Sequence, residues 1–247
     1  MTPVPGWIHL FLDVPRAGWA DSVAFWSAAT GWEPSAPRGE AGQFVTLDPA
    51  SGDGYLKLQA TDDDAPRVHL HLDGPDRAAA IGRSIDLGAS VAWEYRDVQV
   101  MRSPGGLLYC HTLADEMRRF ARADVDRVLD QVCLDIPAPL WDREVEFWHT
   151  VTGRELEVGL RPEFAFLGAL DAHGGLRILL QRLNSTQGQV RAHPDFAVAY
   201  RPQETARQAA LGAQVVNVMD RWTVMRAPDQ HVYCLTDRDP STGRVRR

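Results

Sequence analysis

The 247-residue chain is 45% hydrophobic and 24% charged, the balance of a globular protein with material for two ordinary domains. Its net charge is −7, from 26 basic against 33 acidic residues, and beyond a terminal "RVRR" no basic cluster offers a nucleic-acid surface. No apolar run approaches the ~18 residues of a membrane span, and no charged segment precedes an apolar one at the N-terminus, so the expectation is a cytoplasmic protein without a membrane partner.

The first element in chain order is an apolar strand, "IHLFLDV". Trp19, Val23 and Trp26 then fall at i, i+4 and i+7, one face of a helix, and Gly31 follows where a left-handed cap needs a residue without a side chain. Short strands "FVTL" and "YLKLQ" come next. "RVHLHLD" (67–73), read as a strand, puts His69, His71 and Asp73 on one face and Val68, Leu70 and Leu72 on the other. That polar face is either the start of a site or the solvated side of a half-buried sheet. A second helix is expected from Asp76 to Leu87, stopping at Gly88, followed by strands "SVAWEY", "VQVM" and "LLYCHT". The charged stretch 114–127 reads as a helical linker.

The chain then repeats itself. Residues 12–32 return as 134–154, an offset of 122, and "VMRSPGGLLYCHT" (100–112) returns as "VMRAPDQHVYCLT" (224–236), an offset of 124. A helix from Gln203 to Leu211, stopped by Gly212, matches the second helix of the first copy. This predicts domains at 1–113 and 128–237, a linker at 114–127, and a loose tail at 238–247. Each copy reads strand–helix–three strands, twice over. Because duplication supplies internally what a dimer would, a monomer is feasible and a homodimer is the alternative. The three cysteines (Cys110, Cys133, Cys234) include no CxxC pair, so neither a disulfide framework nor a zinc ribbon is indicated.

The helix "SVAFWSAATGW" after the opening strand, the "LGA" ending each second helix, and the turn before each closing strand resemble the vicinal oxygen chelate superfamily. That superfamily includes glyoxalase I, extradiol dioxygenases and bleomycin-resistance proteins. The resemblance implies an α+β fold, four βαβββ modules forming two cupped mixed-sheet domains, and a divalent metal in a cup. Carried over by resemblance, the metal ligands of the first copy are His9, His69 and Cys110, with Lys57 or Gln59 at a further position, and the ion is Zn²⁺ or another divalent metal. Gln131, Gln181, His193 and Cys234 stand at the matching places of the second copy. The usual carboxylate positions carry lysine, glutamine or cysteine instead, so classical glyoxalase I activity is not expected.

For function, the first cup is the favoured site, with His9, His69 and His71 as catalytic candidates acting on a small organic molecule in a lyase or isomerase reaction. The alternative is a metal-free drug- or metabolite-binding protein of the bleomycin-resistance type. Arg67 and Arg191 recur before the strand histidines, as anion binders or as partners of a carboxylate such as Asp13 or Asp135. Lys57 and Gln59 are further substrate-binding candidates. Trp93 and Trp222 lack aromatic counterparts in the other copy and are candidate walls of a ligand site. Trp26 and Trp148 are expected to pack beneath the sheets, and the three cysteines to serve as core filler.

Overall fold

The computed structural model describes residues 6–96, 98–113, 118–120, 126–168 and 175–246. Most of the linker expected at 114–127 lies outside the described residues. The first copy contains β1 (Trp7–Pro15), α1 (Trp19–Thr30), β2 (Glu33–Pro34), β3 (Phe44–Asp48), β4 (Leu56–Thr61), β5 (Arg67–Gly74), α2 (Arg77–Asp86), β6 (Ser90–Tyr95), β7 (Val98–Arg102) and β8 (Leu108–Leu113). The second contains β9 (Arg127–Pro137), α3 (Trp141–Thr152), β10 (Leu156–Val158), β11 (Phe164–Leu167), β12 (Arg177–Leu183), β13 (Arg191–Val198), α4 (Arg201–Ala210), β14 (Gln214–Val218), β15 (Trp222–Arg226) and β16 (Val232–Thr236). This is an α+β fold, and the strand–helix–three-strand pattern occurs four times.

Two mixed eight-stranded sheets result, with orders β2-β3-β4-β1-β5-β8-β7-β6 and β10-β11-β12-β9-β13-β16-β15-β14. The second is the first with every strand advanced by eight, so the duplication read from the sequence is a duplication of topology. The helix ends follow local chemistry. Gly31 (φ 76°) and Gly153 (φ 61°) adopt the left-handed cap at which α1 and α3 stop. Asp76 accepts the Ala79 N–H at 3.0 Å and caps the N-terminus of α2. The fourth helix starts two residues before the predicted Gln203, because Pro202 tolerates a first-turn position where no N–H is needed.

Contacts group the chain into two compact units, each drawn from both copies. Residues 1–9, 69–118 and 132–192 form one, and 10–68, 119–131 and 193–247 the other. In the first unit, Tyr109 of β8 meets Trp148 and Phe147 of α3 edge-on, with ring centroids 5.4 and 5.9 Å apart. In the second, Tyr233 of β16 meets Trp26 of α1 in the same way at 5.3 Å. Both tryptophans are fully buried, as expected, and truncating such a side chain typically costs 3–5 kcal/mol. The end of the chain is tied down, contrary to the expected loose tail. Arg246 donates to the carbonyls of Val198 and Ala199, and buried Arg238 pairs with fully buried Asp130. No helix among the described residues is long and apolar enough to cross a membrane.

Candidate metal and ligand sites

Strand β5 carries the histidines singled out from the sequence, and its polar face is not a solvated one. His69 and Asp73 are buried, and His71 is half-buried. The Nε2 atoms of His69 and His71 lie 3.2 Å apart. Asp73 is a hub of its own: it meets His9 Nε2 at 2.9 Å, accepts the Thr112 hydroxyl, and receives Arg118 Nε at 3.2 Å. Burial pushes its carboxyl up. The hydrogen bond and charge of His9, the bond from Thr112 and the charge of Arg118 outweigh that and hold it below the ordinary carboxylate value.

Strand register shows what shares this face. His71 lies opposite Cys110 of β8, Cys110 opposite Val100 of β7, and Val100 opposite Trp93 of β6. Residues opposite one another in a ladder point to the same side. Trp93, 46% exposed, therefore ends a row that begins with the histidine pair. Cys110 is buried, and two of the expected trio, His69 and Cys110, lie on the neighbouring strands β5 and β8, whereas His9 is engaged by Asp73.

In the other unit, Lys57 sits over the Phe11 ring, 5.5 Å from its centroid, and Gln59 lies opposite Asp13. Arg67 is exposed and pairs with Asp63 rather than with the buried Asp13. Arg191 is exposed at the start of β13.

Among the described residues, a close grouping of ligand atoms lies in the second copy. The donor atoms of His193, Asp195 and Cys234, all buried, lie within 4.8 Å of one another. His193 Nε2 is 3.3 Å from Asp195 Oδ1 and 3.6 Å from the Cys234 sulfur, and Gln131 donates its side-chain amide to Asp195 Oδ2. Asp195 lies opposite Cys234 in the β13–β16 pairing. Two residues along, Trp222 lies opposite Thr236 and Thr236 opposite Ala197, which places Trp222 on the same face. Burial and the neighbouring Asp195 push the Cys234 thiol up to about 11, against the help of His193. Burial also raises Asp195, but His193, Arg238 and Gln131 together hold it below its ordinary value.

Nitrogen, carboxylate and sulfur donors at this spacing are what a borderline divalent ion such as Zn²⁺ accepts, so these residues fit a metal. Asp195 escaped the sequence reading because its counterpart is His71, and the copies were compared by residue identity rather than by ligand capacity. The buried Glu144 and Arg238 escaped it too. Glu144 aligns with a serine, Ser22, and Arg238 follows the last matched segment.

A family model described as a glyoxalase-like domain matches the chain twice, over residues 9–112 and 131–236. The chain belongs to the glyoxalase-like domain family. By sequence alone no curated protein matches it. Among solved structures, a Mn(II)-bound glyoxalase from Novosphingobium aromaticivorans superposes with a TM-score of 0.68 at 17% identity, covering 95% of this chain and 83% of that one. An extradiol ring-cleaving dioxygenase from B. fuscum gives 0.65 at 15% identity, with 98% and 74% covered. A 2,2',3-trihydroxybiphenyl 1,2-dioxygenase from Sphingomonas wittichii gives 0.61 at 14%, with 96% and 90% covered. These likenesses establish a shared fold with two glyoxalase-like domains in tandem.

Proposed function

We propose that this glyoxalase-like protein acts on a small organic molecule, as a lyase or isomerase, with a divalent metal held in its second domain by His193, Asp195 and Cys234. The observation that carries the reading is the convergence of those three donor atoms within 4.8 Å. It moves the favoured site from the first copy, where His9 is committed to Asp73, to the second. The fold neighbours include a Mn(II)-bound glyoxalase and an extradiol ring-cleaving dioxygenase, which supports metal-assisted chemistry on small molecules without naming the substrate.

A bound ion would supply Lewis acidity toward an oxyanion or enolate. The chain's own residues do the rest. Gln131 holds one oxygen of Asp195 and orients the carboxylate. Trp222, on the same face, offers an aromatic wall to an organic ligand. Cys234 releases its proton on becoming a ligand, so uptake of the ion is coupled to proton release.

The test is metal analysis of protein purified without an affinity tag. His193→Ala should lower the bound metal by about one equivalent per folded chain. Equal metal content in the two proteins would sink the assignment. A chain that binds no divalent ion but is stabilised by small aromatic molecules would favour the metal-free binding reading instead.

A further inference from the structure

Strands β11 and β12 of the second copy alternate between a core face and an accessible one. Ala165, Leu167, Ile178 and Leu180 are buried and form the core face. The opposite face carries Phe164, Phe166, Arg177 and Gln181, all half-buried. Register places them together, since Phe164 lies opposite Gln181, and Phe166 opposite Leu179, two residues from Arg177. Two phenylalanines on the side of a sheet away from its core leave apolar surface that a ligand can cover.

The Arg177 guanidinium lies over the Phe166 ring, its carbon 4.5 Å from the ring centroid. That is well inside the ~6 Å range of a cation–π contact, and it holds a long side chain flat. Stacking uses the face of the guanidinium. Its N–H donors lie in the plane, as a fork that matches the two oxygens of a carboxylate. Phe164 stands about 7 Å along the strand from Phe166, so a ring laid on it can present a carboxylate to that fork. Gln181 accepts the Cys133 thiol on its Oε1 at 3.4 Å, so what it offers a ligand is its N–H₂ donor. Glu157, exposed on β10, lies opposite Phe166 and disfavours a second anionic group on that side. All of these residues belong to one compact unit.

The corresponding strands of the first copy are β3 and β4. There Phe44 lies opposite Gln59, as Phe164 does opposite Gln181, and Thr46 lies opposite Lys57, as Phe166 does opposite Leu179. The Phe–Gln pair is common to both copies, whereas a Thr–Lys pair in one stands against Phe–Leu in the other. Each copy nevertheless holds a cation over a phenylalanine, Lys57 over Phe11 at 5.5 Å and Arg177 over Phe166 at 4.5 Å. The second copy combines that cation with a wider aromatic surface.

We propose that Phe164, Phe166, Arg177 and Gln181 form a binding platform for a planar organic monoanion, an aromatic carboxylate, with Arg177 selecting its charge. As the identity of the substrate class, this rests on the activity proposed above. As a binding site it requires neither that activity nor a metal.

Naphthoate serves as the probe and naphthamide as its neutral counterpart, with dissociation constants measured by calorimetry on the full chain. Wild type should bind naphthoate about tenfold more tightly than naphthamide, and Arg177→Ala should remove most of that difference. Arg177→Lys keeps the charge without the planar fork and should fall between the two. Phe164→Leu should weaken both probes, and His193→Ala should bind naphthoate as wild type does. Should Arg177→Ala misfold by circular dichroism, Arg177→Lys and Phe164→Leu carry the test. Equal affinity for the two probes, no binding of either, or naphthoate binding indifferent to Arg177→Ala would overturn the platform. Naphthoate binding that is lost in His193→Ala but kept in Arg177→Ala would also overturn it, while leaving the second-domain metal assignment standing.

Discussion

The indole N–H of Trp148 donates to the carboxylate of Glu144 one helical turn earlier, at 2.8 Å, in the buried interior of its unit. The same carboxylate accepts the backbone N–H of Gly105 and, at 3.1 Å, the hydroxyl of Ser103. It thus fastens α3 to the turn that leads into β8, the strand bearing Cys110. In the other unit the turn itself supplies the carboxylate: Trp26 of α1 donates to Asp229 at 2.8 Å, and Asp229 accepts the His231 N–H. The closing turns "SPGG" and "APDQ" differ in sequence, yet each is anchored by one carboxylate beneath a tryptophan.

Glu144→Ala leaves an indole, a hydroxyl and an amide N–H without their acceptor, and should destabilise the protein by about 3 kcal/mol or more in urea denaturation. Glu144→Gln keeps one acceptor and should cost less. Burial raises the Glu144 carboxyl, against the bonds from Trp148, Gly105 and Ser103 and the charge of Arg143. The fold therefore holds this proton more tightly than the unfolded chain does. That stabilisation is full below the ordinary glutamate value and is lost as pH rises through the folded one. The cost of Glu144→Gln relative to wild type should accordingly shrink as pH rises.

Arg238 and Asp130 form an ion pair with almost no solvent exposure. Arg238→Met strands a buried carboxylate and should cost about 3–5 kcal/mol. The double variant Arg238→Met/Asp130→Asn, which removes both charges, should recover a large part of the loss. A double-mutant cycle in denaturant measures the coupling, and strict additivity of the two single costs would contradict the pair's role.

Burial, aided by the charge of Arg83, lowers the His111 imidazole to about 4, and its Nε2 bonds Ser84 at 2.8 Å. A histidine held neutral contributes stability that is complete above its ordinary value near ~6.5 and is lost as pH falls toward the folded value. Unfolding at pH 7 and at pH 4 should therefore differ by up to about 3 kcal/mol from this residue. His111→Gln should flatten that part of the profile, and an unchanged slope would assign the acid sensitivity elsewhere.

Removal of divalent ions with a chelator should lower the melting temperature of wild type, because an ion bound only by the folded chain stabilises it by mass action. The shift should be smaller in His193→Ala. Re-addition of Zn²⁺ should restore the melting temperature of wild type more fully than that of the variant.

Much of the fold was legible because it rests on local and repeated signals. Apolar spacing around Trp19 and Trp26, the glycines after each helix, and the 122–124 offset led to the elements and to their fourfold pattern. The polar face of "RVHLHLD" was legible as a strand face, but its burial was not, since His69 and Asp73 are enclosed by strands distant in sequence. Trp26 and Trp148 were legible as packing residues, while their polar edges were not. Their carboxylate partners sit at unrelated places, 203 residues away in one case and 4 in the other. Asp195 was hidden by comparing identities, because an imidazole and a carboxylate share no letter though both bind metals.

The two tryptophan anchors have a bearing on how this gene can change. Glu144 lies on the helix and Asp229 on the turn, so each helix suits only its own turn. Recombination between the repeats that exchanged α1 for α3 would crowd a second carboxylate against Asp229 at one anchor and leave none at the other. Buried like charges and an unpaired indole both cost stability, so such recombinants start at a disadvantage. Two halves that began as copies have become complementary parts, and the duplication cannot readily contract or reshuffle.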